Sequence, residues 1–406
     1  MIMNFDFIII GAGVIGSATA CYLKKALPGS KILLIDRNHT AGAGNTARSA
    51  ALFRNFFSSR TNRVLAGSSI SYYLELGSKI QIDPIGYLWL FSKEQWNASQ
   101  KAIQKLDPEK NKFEILDRDR IAGILSINYQ AKGHFPDVNS GIFCHLCGSL
   151  SATALAQHYA SLFKSMGGEI NFNTDIKEFI ITGQNSCYAP WDDVFIDGII
   201  DRKGNTYYAK EFIIATGAWT HELLAPVGIA SGIFPKKRQL FALKLKNNAG
   251  FVDSISTIRP AIILPAGGVY IKPVLDKNII IVGCADDLGQ PFLMSDPEPD
   301  PLYFRNAIEP VLGHYFPGLD FTLSLKWAGY YDYHWPDMTP VIESVANLTW
   351  ASGTSGSGIM KADAIGRIAA ARMQGHEEAL LADGSKFKVS GLSLRDRDVE
   401  KEDLII

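Results

Sequence analysis

Phe5-Asp6-Phe7-Ile8-Ile9-Ile10 runs straight into Gly11-Ala12-Gly13-Val14-Ile15-Gly16 near the start of this 406-residue chain. A strand of branched residues ends at Gly11, which permits a tight turn. Gly13 carries no side chain, so backbone can approach a pyrophosphate, and Gly16 lets the next helix pack on the strand. That helix, roughly Val14 to Lys25, points its N-terminus at the phosphates, where free N–H groups and the helix dipole favour anions. Leu33-Leu34-Ile35-Asp36 reads as the second strand. Asp36 stands about 20 residues after Gly16, where a carboxylate accepts from the adenosine ribose hydroxyls and repels a 2′-phosphate. Together these features predict a dinucleotide-binding βαβ unit; the bland alternative is a Gly-rich βα turn that binds nothing.

A second glycine-rich signature lies far downstream: Gly353-Thr354-Ser355-Gly356-Ser357-Gly358-Ile359-Met360-Lys361, running into a helix-like stretch. One such signature says dinucleotide. The pair says FAD, with a chain that leaves the cofactor and returns to it.

The length exceeds one ordinary core, so two domains or one elaborated domain are expected. Hydrophobic residues at 47% and charged residues at 20% fit a soluble globular protein. A formal net charge of -1 points away from nucleic acid. Met1-Ile2-Met3-Asn4 carries no Lys or Arg and Asp6 interrupts the apolar run, so the N-terminal stretch is not a signal peptide. We read the protein as cytoplasmic, with peripheral membrane contact and a homo-oligomer both left open. Five cysteines, an odd and sparse set, suggest reduced thiols. Cys144-His145-Leu146-Cys147 is a redox pair, half of a zinc site, or two semi-buried thiols at a strand end. No second C-x-x-C or H-x-x-x-H completes a tetrahedral metal site, so no metal is expected.

The segment from Ala41 to Ser59 is rich in Gly, Ala, Ser and Arg and suits backbone wrapped around a ligand. Thr61 to Leu76 and Ser149 to Gly167 carry helical spacing, the latter with Ser151 as its cap. Tyr87–Phe91 and Glu169–Phe172 read as strands, and residues 93–125 as helices with polar loops. Phe212-Ile213-Ile214-Ala215-Thr216-Gly217-Ala218-Trp219 reads as a short buried strand with a small-residue turn. Residues 235–330 form a meander of antiparallel strands, with runs at Ala261–Leu264, Val269–Ile271 and Asn278–Val282. The expected fold is therefore α/β plus antiparallel β. A Rossmann-like FAD domain comprises 1–80, 146–230 and 326–406, and a discontinuous substrate domain on an antiparallel sheet comprises 81–145 and 231–325.

This arrangement resembles the D-amino-acid-oxidase-like FAD superfamily over nearly the whole chain. Arg48-Ser49-Ala50-Ala51-Leu52-Phe53-Arg54-Asn55-Phe56-Phe57-Ser58-Ser59 and Gly353–Lys361 look closest to the archaeal dye-linked L-proline dehydrogenases. The resemblance implies an enzyme that takes a hydride from a carbon beside an amine nitrogen and delivers it to flavin N5. It implies a small-molecule amino-acid substrate and a quinone or dye acceptor. It puts Arg54 on the substrate carboxylate, which a guanidinium holds bidentately. Arg54 also reads as one of several arginines, with Arg37, Arg48, Arg60 and Arg63, making surface or phosphate contacts. Relatives pair the Arg with a Lys from the C-terminal turn. Here Met360 aligns and Lys361 follows one residue later, so Lys361 is the second candidate clamp. Many relatives carry His where Ser357 stands, a departure at the flavin edge that bears on oxygen use.

The resemblance sets Trp327-Ala328-Gly329-Tyr330-Tyr331-Asp332-Tyr333-His334-Trp335-Pro336-Asp337 beside the flavin. Tyr330 falls where some relatives carry a flavin-linked Cys, which implies non-covalent FAD. Tyr330, Tyr331, Tyr333, His334 and Trp335 are candidate walls for a small cyclic amine, or core aromatics. His334 either assists amine deprotonation or is simply hydrogen-bonded. The expected catalytic set is thus Arg54, Lys361, Tyr330 and His334. The expected cofactor set is Gly11, Gly13, Val14, Ile15, Gly16 and Asp36; Arg37, Arg48, Ser49 and Ala50; Ile176, Ala215, Thr216, Gly217 and Trp219; and Gly329, Gly356, Ser357, Gly358, Ile359, Met360 and Lys361. Competing readings are an oxidase of sarcosine, glycine or another secondary amine, a non-catalytic flavoprotein subunit, and an NAD-dependent dehydrogenase.

Overall fold

The computed structural model describes residues 4–181, 194–246, 259–286 and 297–404. The strand Asn4–Ile10 lies mid-sheet, pairing in parallel with Thr206–Ile214 on one side and Ile32–Ile35 on the other. Both its faces are covered, which is why the sequence runs apolar there instead of alternating. The parallel order continues outward to Leu348–Ser352 and Glu169–Asn171. Val341–Val345 closes one edge antiparallel; Ile196–Asp201 pairs antiparallel with Thr206–Ile214, and Ile176–Ile181 pairs antiparallel with Ile196–Asp201 in turn.

Gly11 takes φ +104°, and a Cβ there would sit 2.5 Å from the Ala215 carbonyl oxygen. Only glycine meets both demands. The helix Val14–Ala26 follows, with Gly16 pressed so close that a Cβ would lie 1.8 Å from the Gly11 carbonyl oxygen. The helix Gly358–Met373 packs along it through Gly366, where a Cβ would meet Ala18 at 2.7 Å. The first helix and the last long one are therefore one layer. Their buried Ile and Leu side chains contribute about 1.5–3 kcal/mol each.

The second sheet has eight strands, in the order Phe321–His334, Ile233–Leu245, Ile279–Cys284, Val269–Val274, Ala261–Ile263, Tyr87–Phe91, Ser140–Cys144 and Phe113–Leu116. It is antiparallel apart from the pair Ala261–Ile263 with Tyr87–Phe91. The antiparallel sheet read from the sequence is present, with three differences. Phe321–His334 belongs to this sheet along its whole length, so the sheet passes the 325/326 border drawn from the sequence. Phe113–Leu116 is a strand within the span read as helices. Pro301–Tyr315 is helical within the span read as a meander. Among the described residues no helix is long and apolar enough to cross a membrane.

Candidate functional site

A cleft of about 350 Å³ opens at the C-terminal ends of the parallel strands. Its first wall is the glycine turn. The helix Val14–Ala26 has Gly13 as N-cap and no acidic residue in its first turn, which leaves its positive end to an anionic ligand. Asp36 lines the cleft. It accepts from Ala12 N at 2.6 Å and from Asn38 N and Nδ2 at 2.7 and 2.9 Å. Three of about four carboxylate acceptor positions are thus used, and one remains for a hydroxyl.

Farther along, the Arg37 guanidinium lies 4.0 Å from the Trp219 ring centre, and Trp219 meets Tyr330 edge-on at 5.9 Å. The small-residue segment after Asp36 is pinned to strand Phe321–His334. Trp327 Nε1 donates to Arg48 O at 2.9 Å, and Tyr330 N donates to Asn45 Oδ1 at 3.1 Å. Ala51 sits at φ +53°, with its N–H on Ser49 Oγ at 2.8 Å. Lys272 Nζ reaches across from the second sheet to Ala50 O at 2.9 Å. Burial pushes that lysine down to about 8.

At Ser49, Ala50, Tyr331 and Gly356 the cleft shares its lining with a smaller cavity of about 130 Å³. Arg54 lines this cavity from the strand Leu52–Arg54, which pairs with Cys147–Ser149. Its guanidinium donates to Phe56 O at 2.8 Å and to Leu404 O at 3.0 Å, and lies 4.3 Å from the Phe57 ring centre. Lys361 faces the same ring at 4.7 Å and donates to Asn62 Oδ1 and Ser357 Oγ, each at 2.6 Å. Burial, reinforced by the like charge of Arg54, pushes Lys361 down to about 7 against the pull of Glu402 and Asp332. The turn carrying Lys361 is clamped to the second sheet. Thr354 N and Oγ1 donate to the Asp332 carboxylate at 3.0 and 2.6 Å, and Ser355 N donates to Asp332 O at 3.0 Å.

Most of the residues expected to bind the cofactor line the cleft: Gly11, Gly13, Val14, Ile15, Asp36, Arg37, Arg48, Ser49, Ala50, Ile176, Ala215, Thr216, Gly217, Trp219, Gly329, Gly356, Gly358 and Ile359. Ser357, Met360 and Lys361 line the smaller cavity instead, and Gly16 is a packing glycine. The one-residue offset at Lys361 costs it nothing, because the first turn of helix Gly358–Met373 presents both 360 and 361 to that cavity.

Tyr330 lines the larger cleft and not the smaller cavity. His334 lines neither. It is buried, with Nδ1 3.1 Å from Asp337 Oδ1 and 3.4 Å from Arg397 Nη2. Hydrogen bonds from Arg397 and His334 hold the Asp337 carboxyl low despite its burial. A histidine committed to this ion cluster is not positioned as a base. Among the other candidate walls, Tyr331 lines both cavities, while Trp335 is 63% exposed. Cys144 and Cys147 are buried free thiols, and burial raises Cys144 well above the usual thiol range. Cys187 lies outside the described residues.

Sequence reasoning missed Glu402, Asn62 and Tyr87, all on the smaller cavity. Asn62 and Tyr87 sit within a helix and strand the sequence did predict, but nothing local marks them as facing a ligand.

A two-sheet molecule with a glycine turn, a fixed ribose-type carboxylate and a chain that returns to the same cleft is built for a dinucleotide that spans both sheets. The chain belongs to the DAO family, FAD dependent oxidoreductase, matched over residues 6–372. It is similar in structure to L-proline dehydrogenase from P. horikoshii, with TM-score 0.78, 21% identity and 97% of each chain covered. Glycine oxidase from Geobacillus kaustophilus gives TM-score 0.76 at 18% identity, covering 98% of this chain and 100% of that one. In sequence it is 25% identical to the FAD-dependent oxidoreductase domain-containing protein 1 of Xenopus laevis, over 96% of this chain and 81% of the relative. FAD fits the cleft: the Gly13 backbone, the helix N-terminus and Asp36 suit its phosphates and ribose, and the row from Trp219 to Tyr331 suits its ring system.

The pH behaviour of the smaller cavity follows from Lys361. Below about 7 the amine is charged and attracts a carboxylate; above, it is neutral. Acetate, followed through the flavin spectrum, is expected to bind progressively more weakly as pH rises through 7, by up to ~10-fold per pH unit. Lys361→Met is expected to flatten that dependence. An equally steep profile in the variant would assign the titration to another group.

Proposed function

We propose that this protein is an FAD-dependent dehydrogenase that oxidises L-proline at the carbon beside the amine nitrogen. FAD is held non-covalently, and the electrons pass to a quinone or an artificial dye. The observation that carries the reading is the convergence of two buried cations, Arg54 and Lys361, on a cavity of about 130 Å³ at the ring end of the cleft. That size suits one small amino acid. The cations suit its carboxylate, and Phe57, Tyr87, Tyr270 and Tyr331 exclude water around its ring. The two stretches that resemble L-proline dehydrogenases form the clamp and the cofactor turn, and the similarity to the P. horikoshii enzyme agrees.

Bound FAD supplies the hydride acceptor, at N5. Arg54 and Lys361 fix the carboxylate, so that the neighbouring C–H bond has one orientation. Among the described residues the cavity holds no histidine, and the carboxylate that lines it, Glu402, is saturated by donors. The substrate amine therefore enters neutral or loses its proton to solvent; that deprotonation raises kcat/KM with pH, while the loss of the Lys361 charge above about 7 lowers it, so the two trends offset above 7.

The test is an anaerobic visible spectrum of the purified holoprotein with L-proline added. Bleaching of the flavin bands is expected, with transfer to a dye on its addition. Unchanged bands with L-proline would remove proline as substrate. The likeness to glycine oxidase supports a second reading, an oxidase of sarcosine, glycine or another secondary amine. Stoichiometric peroxide on turnover in air would favour it.

A further inference from the structure

Residues 402–404 arrive from more than 300 positions downstream of Arg54 and bring Glu402 to the smaller cavity. Glu402 is 4% exposed and Leu404 1%. The Glu402 carboxylate lines the cavity yet presents no idle oxygen to it. Oε1 accepts from Ser58 N and Oγ, each at 2.8 Å, and from Leu404 N at 3.0 Å. Oε2 accepts from Ser59 N and Asn62 Nδ2, each at 3.2 Å. Two lines of contact run from here to the clamp. Asn62 passes its other end, Oδ1, to Lys361 Nζ, which in turn holds Ser357. Leu404 O takes one arm of the Arg54 guanidinium.

We propose that residues 402–404 are the positioning element of the substrate clamp. Glu402 orients Lys361 through Asn62, Leu404 orients Arg54, and both cations are thereby set for a single carboxylate before it arrives. Pre-set donors spare a ligand the ordering cost of two long side chains. The Asn62 amide has a fixed sense here: its NH2 end is committed to Glu402, so its oxygen must face Lys361. Leu404 is itself held in place, packing in the apolar cluster with Phe56, Tyr87 and Trp89. This inference rests on the reading of Arg54 and Lys361 as the carboxylate clamp.

The experiment uses the full-length holoenzyme and three variants: Glu402→Gln, Glu402→Ala and Glu400→Gln. Glu400 accepts from Arg60 N at the same helix end but outside the cavity, so it reports helix capping alone. Acetate affinity is read from the flavin spectrum, and KM and the limiting rate of flavin reduction from the amino acid that bleaches it. A stop after Asp403, which removes the Leu404 carbonyl and keeps Glu402, is the second measurement should the Glu402 variants lose flavin. Both Glu402 variants are expected to weaken acetate and raise KM by ~10- to 100-fold, the effect of a lost charged hydrogen bond, with the limiting rate moved far less. Glu400→Gln is expected to match the wild type. Unchanged or tighter acetate binding in the Glu402 variants overturns the proposal, as does an equal loss in Glu400→Gln. A wild-type spectrum indifferent to acetate defeats the clamp reading itself, a result separable from the others because it needs no variant.

Discussion

Replacing Arg54 by Lys is expected to lower kcat/KM for the amino-acid substrate by about two to three orders of magnitude, mostly through KM. The side chain keeps its charge and loses its geometry. Two of the guanidinium's donors are already spent on Phe56 O and Leu404 O, and its plane rests near the Phe57 ring. The remaining donors are what a carboxylate would use. An ammonium has three donors on one atom and a shorter reach, so it cannot satisfy two backbone carbonyls and grip a carboxylate as a fork does. Unpaired, the Leu404 carbonyl would stay buried at a further cost. Arg54→Met removes the charge as well and is expected to fall lower. A loss under threefold in Arg54→Lys, measured by anaerobic stopped-flow with flavin content matched, would take Arg54 out of the clamp.

The second large effect concerns Gly13. Its backbone is extended, φ −65° and ψ −179°, a conformation open to any residue, and a Cβ there would find only Thr46 Oγ1, at 3.5 Å. The protein itself therefore has room for a side chain at 13. The cofactor does not, because that side chain would project at the helix end where the pyrophosphate must approach. Gly13→Val is expected to purify folded and nearly colourless, with FAD affinity reduced by at least about 100-fold. Its unfolding temperature should match that of the wild-type apoprotein. Gly16→Val makes the contrast: with a Cβ forced to 1.8 Å from the Gly11 carbonyl, it should lose stability with or without flavin. A fully yellow Gly13→Val would place the phosphates elsewhere.

How much of this was legible depends on how local each signal is. The turn from Ile10 to Gly16 and the carboxylate at Asp36 are set by one strand, one turn and one helix, and each residue type has a single physical reason. Arg54 and Lys361 were named only through the resemblance, since nothing local in the sequence shows that either cation is buried. The two readings of His334, base or hydrogen-bonded residue, stayed open because the sequence hides Arg397, which reaches it only in the fold. Glu402 was invisible for the same reason, sitting in a charge-rich stretch whose partners lie more than 300 positions upstream. The strand Phe113–Leu116 escaped because its four residues mix apolar and charged types too briefly for either period to show. Phe321–His334 crossed the expected border because its exposed first half and buried second half look like two different segments.

The order of strands in the parallel sheet has a consequence for how the protein is made. The strand Asn4–Ile10, early in the chain, lies in the middle of the finished sheet. One of its neighbours is synthesised about 200 residues later, and the next strand out, Leu348–Ser352, later still. Until then the apolar side chains of residues 7–10 have a partner on one edge only, and the cleft lacks Gly356 to Ile359 altogether. Contacts this distant along the chain form slowly, and unpaired strand edges invite misassembly while they wait. Flavin capture is therefore a late event in the life of the chain. Free FAD would then act as a folding partner, drawing the two distant glycine turns together by mass action.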